Sequence, residues 1–207
     1  ISLWTLGLFF ILSGFAKAID PSGGASQITD YMYAFHIDFL KVFAYFLSIS
    51  LAAAEFVIGM HLILRFRIKI VAWPALVMMV FFTILTFIIL VFNPVSDCGC
   101  FGEAFKLTHW ETFIKNLVLL PMSYLIFKGR HELTSPVTGF MGWCLSGFQI
   151  AFILSVSFVA LYDAPIFDFR PFKVGVNIPK AMSIPAGAEQ PEYDTRFILE
   201  KNGVKKE

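Results

Sequence analysis

The sequence predicts an all-α membrane protein, a bundle of five transmembrane helices followed by an extended tail. Three observations predict it. Hydrophobic residues make up 57% of the 207-residue chain and charged ones only 15%, against about 25% charged in soluble domains. The apolar residues, 25 of them Phe, gather into runs separated by short polar links. After Tyr162 the pattern changes to spaced prolines, Pro165, Pro171, Pro179, Pro185 and Pro191, with balanced charge.

The first apolar run covers residues 1–18. It is short for a span, and Ala16-Lys17-Ala18 has the form of a signal-peptidase site. No basic segment precedes it and the run is long for a signal-peptide core, so a membrane helix is the better reading. The chain starts at Ile1 and stops in Lys205-Lys206-Glu207, and both ends are read as cut from a longer chain. Residues 20–38 read as a loop. The second run, 39–64, the third, 70–92, and the fifth, 140–162, easily reach the roughly 20 residues needed to span a bilayer. The fourth, 110–127, is marginal because it carries Lys115 and Asn116.

Orientation follows from the basic links. Arg65-Phe66-Arg67-Ile68-Lys69 and Lys128-Gly129-Arg130-His131 should face the cytoplasm, because short cytoplasmic loops carry the excess of Lys and Arg. Residues 93–109 and the tail after Tyr162 then lie outside, in the periplasm of a bacterium. Prolines at this spacing prevent a helix, and a tail this short is small for its own core. It reads as an extended strap leading to a further domain or a partner. Its one strand-like piece is Arg196-Phe197-Ile198-Leu199-Glu200, followed by the turn signal Asn202-Gly203.

Two of the three cysteines, Cys98 and Cys100, stand one residue apart in the outer loop Asp97-Cys98-Gly99-Cys100. A disulfide across one glycine closes a very small, strained ring, and strained exposed disulfides are the labile or catalytic ones. A loop staple is the plainer alternative. A zinc site would need four ligands, and only Asp97 and His109 lie nearby, so no metal is expected. Cys144 belongs at the opposite surface, a bilayer away, and reads as a small packed residue.

Glu55 lies inside the second run, about ten residues or roughly 15 Å from Arg65. A carboxylate at that depth is a functional hypothesis by default. It could relay protons, hold a quinone headgroup, or pair with a polar group on a neighbouring helix. A polar collar, Lys17, Asp20, Lys115 and Asn116, marks the outer end of the first and fourth runs. Lys115 could reach the cysteine loop and lower a thiol pKa; anchoring of helix ends is the bland reading. Trp4 and Trp110 suit an aromatic belt. A net charge of +1 gives no case for nucleic acid. Phosphate-binding glycine loops, HExxH and a nucleophile elbow are all missing.

Leu12-Ser13-Gly14-Phe15-Ala16-Lys17 with Asp20-Pro21, and Glu55-Phe56-Val57-Ile58-Gly59, resemble the first two helices of DoxX-like membrane proteins. Asp97-Cys98-Gly99-Cys100-Phe101-Gly102 with Trp110-Glu111-Thr112-Phe113-Ile114-Lys115-Asn116 is similar to the MauE branch of that superfamily. The resemblance implies a DoxX-like four-helix transmembrane bundle over 1–131, an additional transmembrane helix over 132–162, and an extended periplasmic tail over 163–207. It also implies a bacterial inner-membrane protein that supports thiol–disulfide exchange, the formation of disulfides or the maturation of a periplasmic partner. Cys98 and Cys100 would be the redox pair, and Glu55 and Lys115 the polar residues of a quinone site. The bilayer and a thioredoxin-like or client protein would be its partners. A second cysteine pair, which bundle oxidoreductases of the vitamin K epoxide reductase type use to relay electrons, is not in this sequence. The alternative is a non-enzymatic accessory subunit of a larger envelope complex.

Overall fold

The computed structural model describes residues 2–92, 108–137 and 139–162, and the backbone of 199–201 and 204–206. Its helices in chain order are α1 (Ser2–Ile19), α2 (Pro21–Ala34), α3 (Ala44–Leu64), α4 (Ile68–Phe92), α5 (His109–Lys128) and α6 (Gly139–Tyr162). A short 3-10 helix, Asp38–Phe43, leads into α3. All five apolar runs are helical. Among the described residues four stretches are long and apolar enough to cross a membrane: α1, Asp38–Leu64, α4 and α6. The 20-residue α5 is not among them. Glu111, Lys115, Asn116 and Pro121 lower its hydropathy, and it packs against α4 and α1.

The two central helices, α1 and α3, touch backbone to backbone. Gly7 faces Gly59 and Ile63, while Gly14 faces Ala52 and Phe56, so the pair runs antiparallel. A Cβ on Gly14 would stand 2.6 Å from the Ala52 carbonyl oxygen and the Phe56 nitrogen. One on Gly59 would stand 2.6 Å from the Gly7 carbonyl oxygen. In lipid, where burying apolar side chains gains little, small residues that let backbones approach are the main source of helix–helix affinity. Further along the same faces Leu6, Phe10 and Leu62 close the core with Ile68, Ala75 and Met79 of α4.

One element departs from the sequence reading. Residues expected to form a loop after α1 instead fold into the 14-residue helix α2. Asp20 caps it, its Oδ1 accepting from the Gly23 amide at 2.9 Å. Pro21 follows at the first helical position, where its fixed φ suits a helix start. Gly23 and Gly24 are buried on its packing face. Ser48 of α3 donates to the Pro21 carbonyl at 3.2 Å, and a Cβ on Gly24 would collide with the Ser48 hydroxyl.

The last membrane helix, α6, lays a stripe of Gly142, Ser146, Gln149, Ile153, Ser157 and Ala160 into the bundle. Phe66, in the turn between α3 and α4, occupies the space a Cβ at Gly142 would need. The opposite side of α6 exposes Phe140, Phe148, Phe158 and Tyr162, an apolar surface that suits lipid and not water. Residues 171–207 form a unit of their own. In it β1 (Leu199–Lys201) pairs antiparallel with β2 (Val204–Lys206), Leu199 opposite Lys206. The first of these strands overlaps the strand-like stretch at Leu199 and Glu200; residues 196–198 and the turn signal at 202–203 lie outside the described residues.

Candidate functional site

The α1–α3 seam carries two opposite charges into the interior. Lys17 is 6% exposed and Glu55 1%. The Lys17 Nζ donates to Glu55 Oε1 at 2.9 Å, to Oε2 at 2.8 Å and to Ser13 Oγ at 2.8 Å. Ser13 stands one turn before Lys17 on α1, so serine and lysine share a face. Gly14 lets that face sit against α3, where its would-be Cβ meets the Cβ of Glu55. An ammonium has three N–H donors, and these three contacts match them. Taking two charges out of water costs several kcal/mol per ion, which their attraction offsets only when the geometry is this close.

A second polar stitch joins α4 and α5. Asn116 Nδ2 donates to Thr86 Oγ1 at 3.2 Å and lies 3.3 Å from the Phe82 carbonyl oxygen. Thr86 in turn donates to that same carbonyl at 2.8 Å. Beside Asn116, the buried Lys115 Nζ lies 4.7 Å above the ring of Phe9 on α1. A cation over an aromatic face is attracted by the ring's quadrupole. Thr108 starts α5 with a reciprocal cap: it accepts from the Glu111 amide at 3.3 Å, and Glu111 Oε2 accepts from the Thr108 amide at 2.8 Å.

These two clusters are walls of one cavity of about 60 Å³. A single water needs about 10–15 Å³ by the same measure, so the space suits a few waters. Phe9, Phe10, Met79, Phe82 and Leu85 give it an apolar lining, and Gln27 and Tyr31 of α2 close one side. Lys17, Glu55, Lys115 and Asn116 all reach it.

The sequence-predicted residues are therefore partly brought together. Glu55 and Lys115 line the same cavity. Cys98 and Cys100 lie outside the described residues. Lys17, read as a collar residue, is the partner of Glu55, and Asp20 of the same collar is the α2 cap. Trp4 and Trp110 are exposed, 60% and 65%. Cys144, expected to be packed, is exposed on α6. It follows Gly142 by two residues, about 200° around a helix, which turns it away from the buried stripe.

Sequence reading missed a third cluster. His61 of α3 has Nδ1 2.7 Å from the Val57 carbonyl oxygen and Nε2 2.9 Å from Ser146 Oγ of α6. The carbonyl can only accept, which assigns a proton to Nδ1; the single hydroxyl proton of Ser146 has two acceptors in reach, Nε2 and the Gly142 carbonyl oxygen at 2.9 Å. His61 thus ties α6 to the bundle.

A helical membrane bundle with a neutralised ion pair and a small polar-edged cavity in its interior is the class these features define. The chain belongs to the family described as Methylamine utilisation protein MauE, whose match covers residues 1–128. The matched region takes in α1 to α5 and with them every residue of the cavity wall; α6 and the tail lie beyond it. No curated protein and no solved structure matches the chain.

Proposed function

We propose that this protein has an accessory role in methylamine utilisation, as a membrane thiol–disulfide exchanger that matures a partner outside the membrane. The observation that carries the reading is the Cys98-Gly99-Cys100 pair, eight residues ahead of the α5 cap Thr108 in a chain of this family. The basic Arg65–Lys69 and Lys128–His131 links support a topology with that pair on the periplasmic side of the inner membrane. In the exchange, a client dithiolate attacks the strained Cys98–Cys100 disulfide. The client leaves with a new disulfide, and Cys98 and Cys100 are left as a dithiol. Two electrons and two protons then pass to a quinone, which becomes a quinol and restores the disulfide.

The test replaces Cys98 and Cys100 with Ser and follows client disulfides in cells by thiol trapping. Reduced client is the expected result. Fully oxidised client in the variant sinks the exchange reading.

The closed Lys17–Glu55 pair favours a second reading, a structural or accessory subunit of an envelope complex. Such a subunit would purify in mild detergent as a stoichiometric complex, and its cysteines would resist alkylation.

A further inference from the structure

Two helix pairs dominate the packing of the bundle. α1 lies on α3 through its glycines, and α4 lies on α5; contact between the two pairs is sparser. The seam between the pairs is uneven. At the end that carries the basic links it is filled by Leu3, Leu6, Leu62, Ile68, Ala72 and Ile126. Towards the other end it holds the cavity. There the contacts across it include Lys115 over the Phe9 ring at 4.7 Å and Lys17 at 6.0 Å from the ring of Phe82. Contacts of this kind are worth about 0.5–2 kcal/mol each, and they can be broken and remade.

The helices of the second pair each carry one internal proline, Pro74 in α4 and Pro121 in α5, whereas α1, α3 and α6 carry none. Pro74 stands six residues after Ile68 and Pro121 seven before Lys128. At 1.5 Å per residue both lie about 10 Å from the basic end, so the two breaks share one depth. A proline cannot donate to the carbonyl four residues back, and its ring crowds that carbonyl. Ile70 and Leu117 thereby lose their helical donors. Both prolines are exposed, facing away from the bundle. The crowding opens the outward side of each helix, so further bending closes the seam and straightening opens it.

Beyond the prolines the two helices are tied together. Asn116 Nδ2 reaches Thr86 Oγ1 at 3.2 Å and the Phe82 carbonyl oxygen at 3.3 Å. Every cavity residue of α4 and α5, from Met79 to Thr86 and Lys115 with Asn116, lies on this far side. The opposite wall is fixed, because the Lys17–Glu55 pair belongs to the glycine-packed α1–α3 seam.

We infer that the halves of α4 and α5 beyond Pro74 and Pro121 swing as one rigid unit, and that this motion opens and closes the cavity. A bend of about 10° acting over the 17 residues from Pro74 to Val91 moves Val91 by about 4 Å. The segment that joins the moving ends, between Phe92 and Thr108, carries Cys98 and Cys100. The hinge stands on the packing alone. Its use rests on the exchange reading: a client that engages the cysteines would pull on the unit that walls the cavity.

The experiment is double electron–electron resonance on the full chain in lipid nanodiscs, which freezes out the populations of a hinge motion. Nitroxides are attached through a ketone amino acid, so the three cysteines stay native. One label pair, Val91 with Phe46 of α3, measures across the seam; the other, Val91 with Trp110 of α5, measures within the unit. All three sites are exposed. The first pair should show two distances about 4 Å apart and the second a single one. Pro74→Ala/Pro121→Ala restores both helical donors and should collapse the first pair to one distance while leaving the second unchanged. Alanine is the better helix former, so this variant should fold; if it does not, Pro74→Ala and Pro121→Ala made singly decide. A single Val91–Phe46 distance in the wild type overturns the inference. So do two distances that survive the proline substitutions, or a Val91–Trp110 distance that splits along with the first. The Cys98→Ser/Cys100→Ser variant separates the two ideas. If client oxidation is unaffected in it while the hinge pattern holds, exchange fails and the hinge stands. If client oxidation needs the cysteines but Val91–Phe46 shows one distance, the hinge fails and exchange stands.

Discussion

Replacing Lys17 with Met removes the cation and keeps the length of the side chain. Glu55, 1% exposed, then loses an ammonium that met both its oxygens at 2.8–2.9 Å. Leaving one member of a buried pair behind costs about 3–5 kcal/mol, which is roughly a hundredfold or more in the folding equilibrium. Glu55→Leu should cost a similar amount, because it strands the ammonium. The double variant Lys17→Met/Glu55→Leu buries no charge at all and should lie close to wild type, since an apolar replacement of a buried pair is often neutral. A double-mutant cycle therefore yields a coupling of about 6 kcal/mol or more in magnitude, the sum of the two single costs, measured by reversible unfolding in mixed micelles. Additive single effects, with the double variant the least stable of all, would show that the two charges do not depend on each other and would refute the pairing argument.

Two other perturbations follow from the packing. Gly14→Leu places a side chain against backbone atoms 2.6 Å from its first carbon. Overpacking ordinarily costs about 1–3 kcal/mol, and backbone cannot step aside as a side chain can, so aggregated protein on size-exclusion chromatography is expected, while the exposed Trp4→Leu on the same helix should elute normally. Ser146→Ala leaves Nε2 of His61 without its hydrogen-bond partner on α6, at a cost of about 1–3 kcal/mol. Unfolding measurements on Ser146→Ala, His61→Leu and the double variant should show that the second substitution adds little once the first is made.

The helices were legible because each long apolar run has one dominant solution in lipid, and the runs at 70–92 and 140–162 lie within two residues of α4 and α6. What lies between runs was not. Residues 20–38 carry Pro21, Gly23 and Gly24, which locally signal a turn; only the contact with Ser48 makes a glycine face worth having in a helix. Glu55 stood out as a carboxylate in an apolar run, yet its partner is 38 residues away, and no spacing rule reaches that far. The usable signal was the pair of glycines, Gly14 and Gly59, which mark the faces of α1 and α3 that meet. Lys115 was visible as a polar residue on α5, but its place beside Phe9 depends on α1 packing against α5.

The distance in sequence between Lys17 and Glu55 has a consequence for how the chain is made. Synthesis brings α1 to the membrane ahead of Glu55, which follows Lys17 by 38 residues. Lys17 stands two residues from the end of α1 and can hold its charge at the headgroups while it waits. Glu55, in the middle of α3, has no such refuge, and a lone acidic residue there opposes insertion by about 2.5–3.5 kcal/mol. The first helix is thus a chaperone for the third: α3 enters the bilayer as the second half of a hairpin whose first half already holds the counterion. An α1 delayed or removed during biogenesis would leave α3 stalled at the surface.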